Sequence, residues 1–210
     1  MSESNNWQPL TLEQLKSLFE KSEKPYWLSG GWAIDLFVGR QTRAHEDLDI
    51  SISRSDQFYF QNYLNNWDLH YADPARPGVL LPWHTGATLF DPIYNVWGRK
   101  SAGGPWNLQL LICDFSDTEW IYRRKQEIRG PLKEFDWTTK DGMKVLSPII
   151  QLLFKSRSPR PKDEHDFQHC LAVFSTQERR RLRELILEDS GANHPWLDLI
   201  NRGDKIFTQG

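Results

Sequence analysis

The sequence predicts an α+β fold, a mixed β-sheet flanked by helices and followed by a C-terminal helical subdomain. Three observations carry this. "DLDISIS" (47–53) alternates apolar and polar residues, the period of a strand with one buried face. "NLQLLICDF" (107–115) repeats that alternation after the turn signal "KSAGGP", so the two halves of 90–115 read as a hairpin. Beyond residue 146 the apolar residues recur at helical spacing instead. The division is therefore 1–145, mixed α and β, and 146–210, helical.

The elements follow in order. Thr11 caps a helix carrying Leu12, Leu15, Leu18 and Phe19 on one side. "YWLSG" is a short strand that runs into Gly30-Gly31. "GWAIDLFVGR" is a short helix stopped near Gly39. "SDQFYFQNYLNNW" is a helix capped by Ser55. "ADPARPGVLLPWHTG" is loop, given its prolines and glycines. "WIYRRKQEIRG" supplies further short strands. "SPIIQLLFKSRS" opens a helix on Ser147 and Pro148. "RPKDEHDFQHCLAVF" starts the next at Pro161, and "STQERRRLRELILEDS" starts with a capping box of Ser175 or Thr176 and Glu178. "HPWLDLIN" is a last short helix. There is no internal repeat.

A chain of 210 residues with a formal charge of -2 advertises no bulk basic field for nucleic acid. From Lys155 to Arg183, eight basic residues stand against four acidic ones, which suits a phosphate-bearing ligand or a solvated helical face. Cys113 and Cys170 lack motif spacing and read as reduced core residues. No apolar run approaches the ~20 residues of a membrane span, and "MSESNNWQPL" lacks a signal pattern. A soluble cytoplasmic protein is expected. The ten tryptophans suit core packing, with a share left to stack sugar or base rings in a cleft.

Asp47 and Asp49 are two apart on a strand and so share a face, while Leu48, Ile50 and Ile52 take the other. Adjacent carboxylates raise each other's pKa unless a cation sits between them. Mg²⁺ is suited to one or two carboxylates completed by phosphates and water. A solvated strand face gives the same spacing. Gly30-Gly31, between a strand and a helix, adds backbone amides unshielded by side chains, which form an anion site. Asp114 ends a strand whose Leu108, Leu110 and Ile112 share its face. Either that strand reaches solvent there, or Asp114 stands beside Asp47 and Asp49 to bind metal or take a proton.

Gly-Gly, a helix, then Asp-x-Asp on a strand resembles the polymerase-beta-like nucleotidyltransferase superfamily. "GGWAIDLFVGRQTRAHEDLDI" is similar to its aminoglycoside and lincosamide nucleotidyltransferase branch, including the aminoglycoside 2''-adenylyltransferase type. "WNLQLLICDF", "EWIYRR", "LSPIIQLLFKSR" and "RPKDEHDF" resemble the branch in the same order, over about residues 25–175. The resemblance implies a catalytic domain over 1–145, with the helical part closing its cleft. It implies transfer of a nucleoside monophosphate from a triphosphate to a hydroxyl, releasing pyrophosphate. ATP is the default donor and a small polyol or amino sugar, an aminoglycoside or lincosamide antibiotic among them, the expected acceptor; the alternatives are a protein or RNA acceptor, or a non-catalytic nucleotide-binding module. Asp47 and Asp49 match the metal-binding pair, and Asp114 is matched to the third carboxylate, proposed as general base. Two Mg²⁺ ions are then expected, the second shared with Asp114. Ile149 departs from the acid often found in that segment.

Lys155, Lys162, Arg123, Arg124 and Arg99 are candidates for triphosphate contact, as ammonium point charges or bidentate guanidinium groups. Arg43 and His45 precede the carboxylate pair. Arg43 is assigned to the nucleotide with Gly30, Gly31 and Lys155, and His45 either bonds the nucleotide or, the favoured reading, braces the loop. Asp163 and Asp166 lie on one helix face, where Asp166 is expected to pair with Lys162 four residues earlier.

Overall fold

The computed structural model describes residues 6–206. Residues 1–5, the start of "MSESNNWQPL", and residues 207–210, the end of the expected helical subdomain, lie outside the described residues. The strands are β1 (Tyr26–Ser29), β2 (Asp49–Ser53), β3 (Asp68–Ala72), β4 (Leu80–Pro82), β5 (Asn95–Arg99), β6 (Leu108–Phe115), β7 (Glu119–Ile121), β8 (Arg129–Pro131), β9 (Asp136–Thr138) and β10 (Lys144–Leu146). The helices are α1 (Leu12–Phe19), α2 (Gly30–Val38), α3 (Gln57–Tyr63), α4 (Pro148–Ser156), α5 (Pro161–Val173), α6 (Thr176–Ser190) and α7 (Pro195–Ile206).

Among the described residues, ten strands form one sheet whose main path is β4-β3-β5-β6-β2-β1-β10-β9. β7 pairs with the end of β6 and with β8. The sheet is mixed, as expected. β2 runs parallel to β6, and β1 to β10, while the other pairs are antiparallel. The "KSAGGP" turn does join the antiparallel pair β5 and β6.

Alternation decides which face is core. Ile50 and Ile52 of β2, with Leu108, Leu110 and Ile112 of β6, are fully buried in one cluster with Leu15 and Phe19 of α1 and Phe60 of α3. Each such side chain contributes about 1.5–3 kcal/mol by leaving water. The opposite face carries Asp49, Ser51, Gln109, Leu111 and Cys113, and these line a cleft. Past residue 146, Leu152 of α4, Phe167 of α5, Leu182 of α6 and Trp196 of α7 pack in one cluster with Ile34 of α2. Helices from both sides of residue 145 thus share apolar contacts, and α4 and α5 supply one wall of the cleft.

Local signals account for most helix starts. Thr11 Oγ1 accepts from the Gln14 amide, and Ser175 Oγ from the Glu178 amide, each in a reciprocal capping box. Pro148 and Pro161 open α4 and α5. Ser55 does not cap α3: a 3-10 turn, Arg54–Asp56, precedes it, and Ser55 Oγ lies 2.8 Å from Ser53 Oγ. The stretch "ADPARPGVLLPWHTG" is not all loop, because Leu80–Pro82 forms edge strand β4 on β3. Pro74 and Pro77 precede that strand, and Pro82 is its last residue, paired with His70 on the sheet edge where a missing N–H is tolerated. No helix among the described residues is long and apolar enough to cross a membrane. Cys113 and Cys170 are free and buried.

Candidate active site

The cleft occupies about 340 Å³ above the polar face of β2 and β6. Asp49 opens β2, and Asp47 lies two residues before it on the preceding loop; both line the cleft. Asp49 Oδ1 is shut off from solvent and has no hydrogen-bond partner among the described residues. Burial, and then the neighbouring Asp47 charge, push the Asp49 carboxyl up to about 7, against the pull of Lys155, Lys162 and Arg160. An unpartnered carboxylate in such a place costs free energy that a bound cation would offset.

Gly30 and Gly31 make this arrangement sterically possible. Gly30 has φ +68°, and a Cβ there would run into the Asp49 carboxylate. A Cβ on Gly31 would strike the Arg43 guanidinium and come within 2.5 Å of the His45 ring. The glycines therefore make room for the chain's own charged groups. The Gly30 amide is engaged as well, donating to Gln151 Oε1 at 2.8 Å.

The expected phosphate ligands reach the cleft, but largely as members of an internal network. Lys155, 9% exposed, holds Asp163 at 2.7 Å and Asp166 at 2.9 Å. Arg43 grips Asp166 bidentately at 2.8 and 3.0 Å, and Arg160 grips Asp163 at 2.7 and 3.2 Å. Burial alone would raise both acids. The Arg160 and Lys155 hydrogen bonds hold Asp163 well below the usual carboxylate range, and Arg43 and Lys155 do the same for Asp166. The expected Lys162–Asp166 pair does not form. Asp166 is fully buried and turned to Arg43 and Lys155, and Lys162 instead lies 3.7 Å from Glu46. His45 braces the loop as expected, its Nε2 lying 2.5 Å from Asp35 Oδ2.

Asp114 requires a correction. Its face of β6 is the apolar one, shared with Leu108, Leu110 and Ile112, whereas Asp49 lies on the other. The parallel register pairs Asp49 with Gln109, five residues before Asp114. At about 3.3 Å per residue that separation is roughly 16 Å along the strand. Arg54 satisfies Asp114 with bonds of 2.5 and 3.3 Å, and Asp114 does not line the cleft. The structure thus brings together Asp47, Asp49, Gly30, Gly31, Lys155 and Arg43, and leaves Asp114 out. Gln109 is the polar β6 residue that does face the carboxylates.

Two further expectations change. Arg99 is bound to Asp68 and stacked on Trp106, away from the cleft, while Arg123 and Arg124 do line it. Arg123 lies over the Tyr94 and Phe154 rings, 4.8 and 5.2 Å from their centroids. The cleft is not rich in aromatics: among the described residues Phe154 is the one aromatic lining it, whereas Trp106, Trp120 and Trp196 are core. Gln151 and the Asp163–Asp166 pair were not read as cleft-building residues from the sequence. Their spacing is ordinary for helix surfaces, and no local signal marks them.

The donor set fits a divalent cation. Asp47 and Asp49 are hard oxygen ligands on one wall, one oxygen of Asp49 lacks a partner, and Lys162, Arg160 and Lys155 form a cationic wall suited to phosphates. Among the described residues, no group of three or more His, Cys, Asp or Glu converges on one point that could hold a metal.

Residues 11–75 match the family model described as aminoglycoside-2''-adenylyltransferase. A lincosamide resistance protein of Staphylococcus haemolyticus is 43% identical over 47 residues, 22% of this chain and 29% of that protein. A 2''-aminoglycoside nucleotidyltransferase of Klebsiella pneumoniae is 40% identical over 40 residues, 19% of this chain and 23% of that protein. The alignments thus span less than a third of the curated relatives they match. Among solved structures, lincomycin-bound lincosamide antibiotic adenylyltransferase LnuA superposes with a TM-score of 0.54 at 20% identity, covering 81% of this chain and all of that one. ANT(2")-Ia in complex with adenylyl-2"-tobramycin gives 0.53 at 13% identity, covering 84% and 95%. The fold is that of the nucleotidyltransferases. Within it, the resemblance to the aminoglycoside and lincosamide branch is borne out by the family match over residues 11–75 and by the matches to the two curated relatives.

Proposed function

We propose that this cleft transfers a nucleoside monophosphate, with ATP as donor, to a hydroxyl of a small polyol or amino sugar. The observation that carries the reading is Asp49: a buried carboxylate beside Asp47, one oxygen unpartnered, facing a wall of Lys155, Arg160 and Lys162. Asp47 and Asp49 would hold Mg²⁺, which would neutralise triphosphate charge. The acceptor oxygen bonds to the α-phosphorus, the bond to the bridging oxygen breaks, and pyrophosphate leaves. The hydroxyl proton passes to water in the cleft, since among the described residues no carboxylate other than the metal pair is free there. Catalysis is then mostly positioning and charge stabilisation. Lys162 and the remaining donor of Lys155 face the phosphates, and the Arg43–Asp166–Lys155–Asp163 network holds that wall rigid.

The names of the relatives support an antibiotic as acceptor, an aminoglycoside or a lincosamide. The test is incubation with α-labelled ATP and Mg²⁺ against aminoglycosides, lincosamides and cell extract, followed by detection of labelled product and pyrophosphate. Label transfer lost in Asp49→Asn supports the proposal; the same transfer in that variant overturns it. One observation favours a second reading, a non-catalytic nucleotide-binding module: Gln109, not an acid, stands in register with Asp49. That reading predicts tight Mg²⁺-ATP binding without pyrophosphate release on any acceptor, including extract.

A further inference from the structure

We infer that the cleft takes a single divalent cation, and that the Gln109 carboxamide holds the acceptor oxygen where a second cation would otherwise lie. The inference rests on the nucleotidyl-transfer reading above. It begins with the register. β2 and β6 are parallel, Asp49 pairs with Gln109, and both residues line the cleft. Paired strands lie about 4.8 Å apart, so Gln109 is the first β6 side chain that an ion on Asp49 would meet. Two cations acting on one displacement sit about 3.5–4 Å apart. A second ion beside Asp49 would therefore draw on the β6 position that Gln109 occupies.

Each nearby acid is accounted for. Asp163 is taken by Lys155 and Arg160, and Asp166 by Arg43 and Lys155. Asp114 is on the other face with Arg54. Two carboxylates remain, Asp47 and Asp49, enough for one ion completed by phosphates and water. A neutral carboxamide adds no charge to hold a second. What Gln109 does offer is one acceptor oxygen and two N–H donors. The side chain is half-buried and makes no hydrogen bond to a described residue. It can accept from an acceptor hydroxyl, or donate to its oxygen, without competing with a cation.

The test counts ions. The full chain is dialysed against Mn²⁺ with α,β-methylene-ATP, a non-hydrolysable analogue, and protein-bound Mn²⁺ is counted by electron paramagnetic resonance. One ion per chain is expected for the wild type and two for Gln109→Asp. Gln109→Glu serves the same purpose should the aspartate variant fail to fold, and Gln109→Leu should keep one. Two ions in the wild type, or one in folded Gln109→Asp and Gln109→Glu alike, overturn the inference. No bound Mn²⁺ in the wild type overturns the nucleotidyl-transfer reading itself, and this inference with it.

Discussion

Asp49 and Asp114 are carboxylates on strands of the same sheet, and their surroundings are opposite. Asp114 is fully served by the chain: Arg54 clamps it, and that same guanidinium is anchored on the Leu89 and Ile93 carbonyls. Asp49 is left with an unpartnered oxygen, beside a second carboxylate, behind a glycine whose missing side chain gives it room. An acid whose partner the fold supplies is structural. An acid that the fold buries and leaves without a partner is poised for something the chain does not itself contain.

The comparison breaks most directly at the two acids themselves. Asp49→Asn should abolish transfer, by at least ~10³-fold, with the fold intact by circular dichroism. Asp114→Asn should change single-turnover rate by only a few fold and cost about 1 kcal/mol of stability, a modest value because the ion pair is partly exposed. Equal losses of turnover in the two variants would erase the distinction between the two acids.

Next in size is the network behind the cleft. Lys155→Met leaves Asp163 and Asp166 buried with one cationic partner fewer each. Breaking such a pair costs about 3–5 kcal/mol, readable in urea denaturation. A loss below ~1 kcal/mol would mean that Arg43 and Arg160 alone suffice for both acids.

Gly30→Ala is a sharper probe of Asp49 than of phosphate approach. The positive φ strains any L-residue, at about 1–3 kcal/mol, and the added Cβ must displace the carboxylate. Divalent-cation affinity should fall together with stability, by calorimetry. Unchanged cation affinity in the folded variant would remove Asp49 from the metal site.

The smallest effect is a pH dependence with two opposite signs. Asp49 is raised, so its contribution to the stability of metal-free protein is present below about pH 4 and lost as pH rises through about 7. Asp163 and Asp166 are lowered, so their contribution is present above the ordinary carboxylate range and lost as pH falls below it. Chelated protein should therefore lose melting temperature between pH 5 and 7.5, about where Mg²⁺ restores it. An identical slope in Asp49→Asn would assign the effect elsewhere.

Much was legible in the residue order. Alternation in "DLDISIS" and "NLQLLICDF" assigns strands and faces, because a strand has a period of two whatever surrounds it. Thr11 with Gln14 and Ser175 with Glu178 mark helix starts, since capping is satisfied within four residues. The pair Asp47 and Asp49 behind two glycines is likewise a local pattern. The face of Asp114 was also legible. It lies with Leu108, Leu110 and Ile112, the core side, as Ile50 and Ile52 define the core side of β2.

What the residue order left open was register and partnership. Which residue of the β6 cleft face, Gln109, Leu111 or Cys113, stands beside Asp49 depends on how β2 and β6 slide past one another, and the 54 residues between them leave that open. Pairing fixes it through the whole ladder at once, from Asp49↔Gln109 to Ser53↔Cys113. Likewise the carboxylates that occupy Lys155 and Arg43 come from α5, far along the chain from Arg43. Local sequence determines what a side chain can do and which way it faces. Only the packed structure decides which charges meet, because an ion pair's strength depends on a few ångströms of separation and on the water excluded around it.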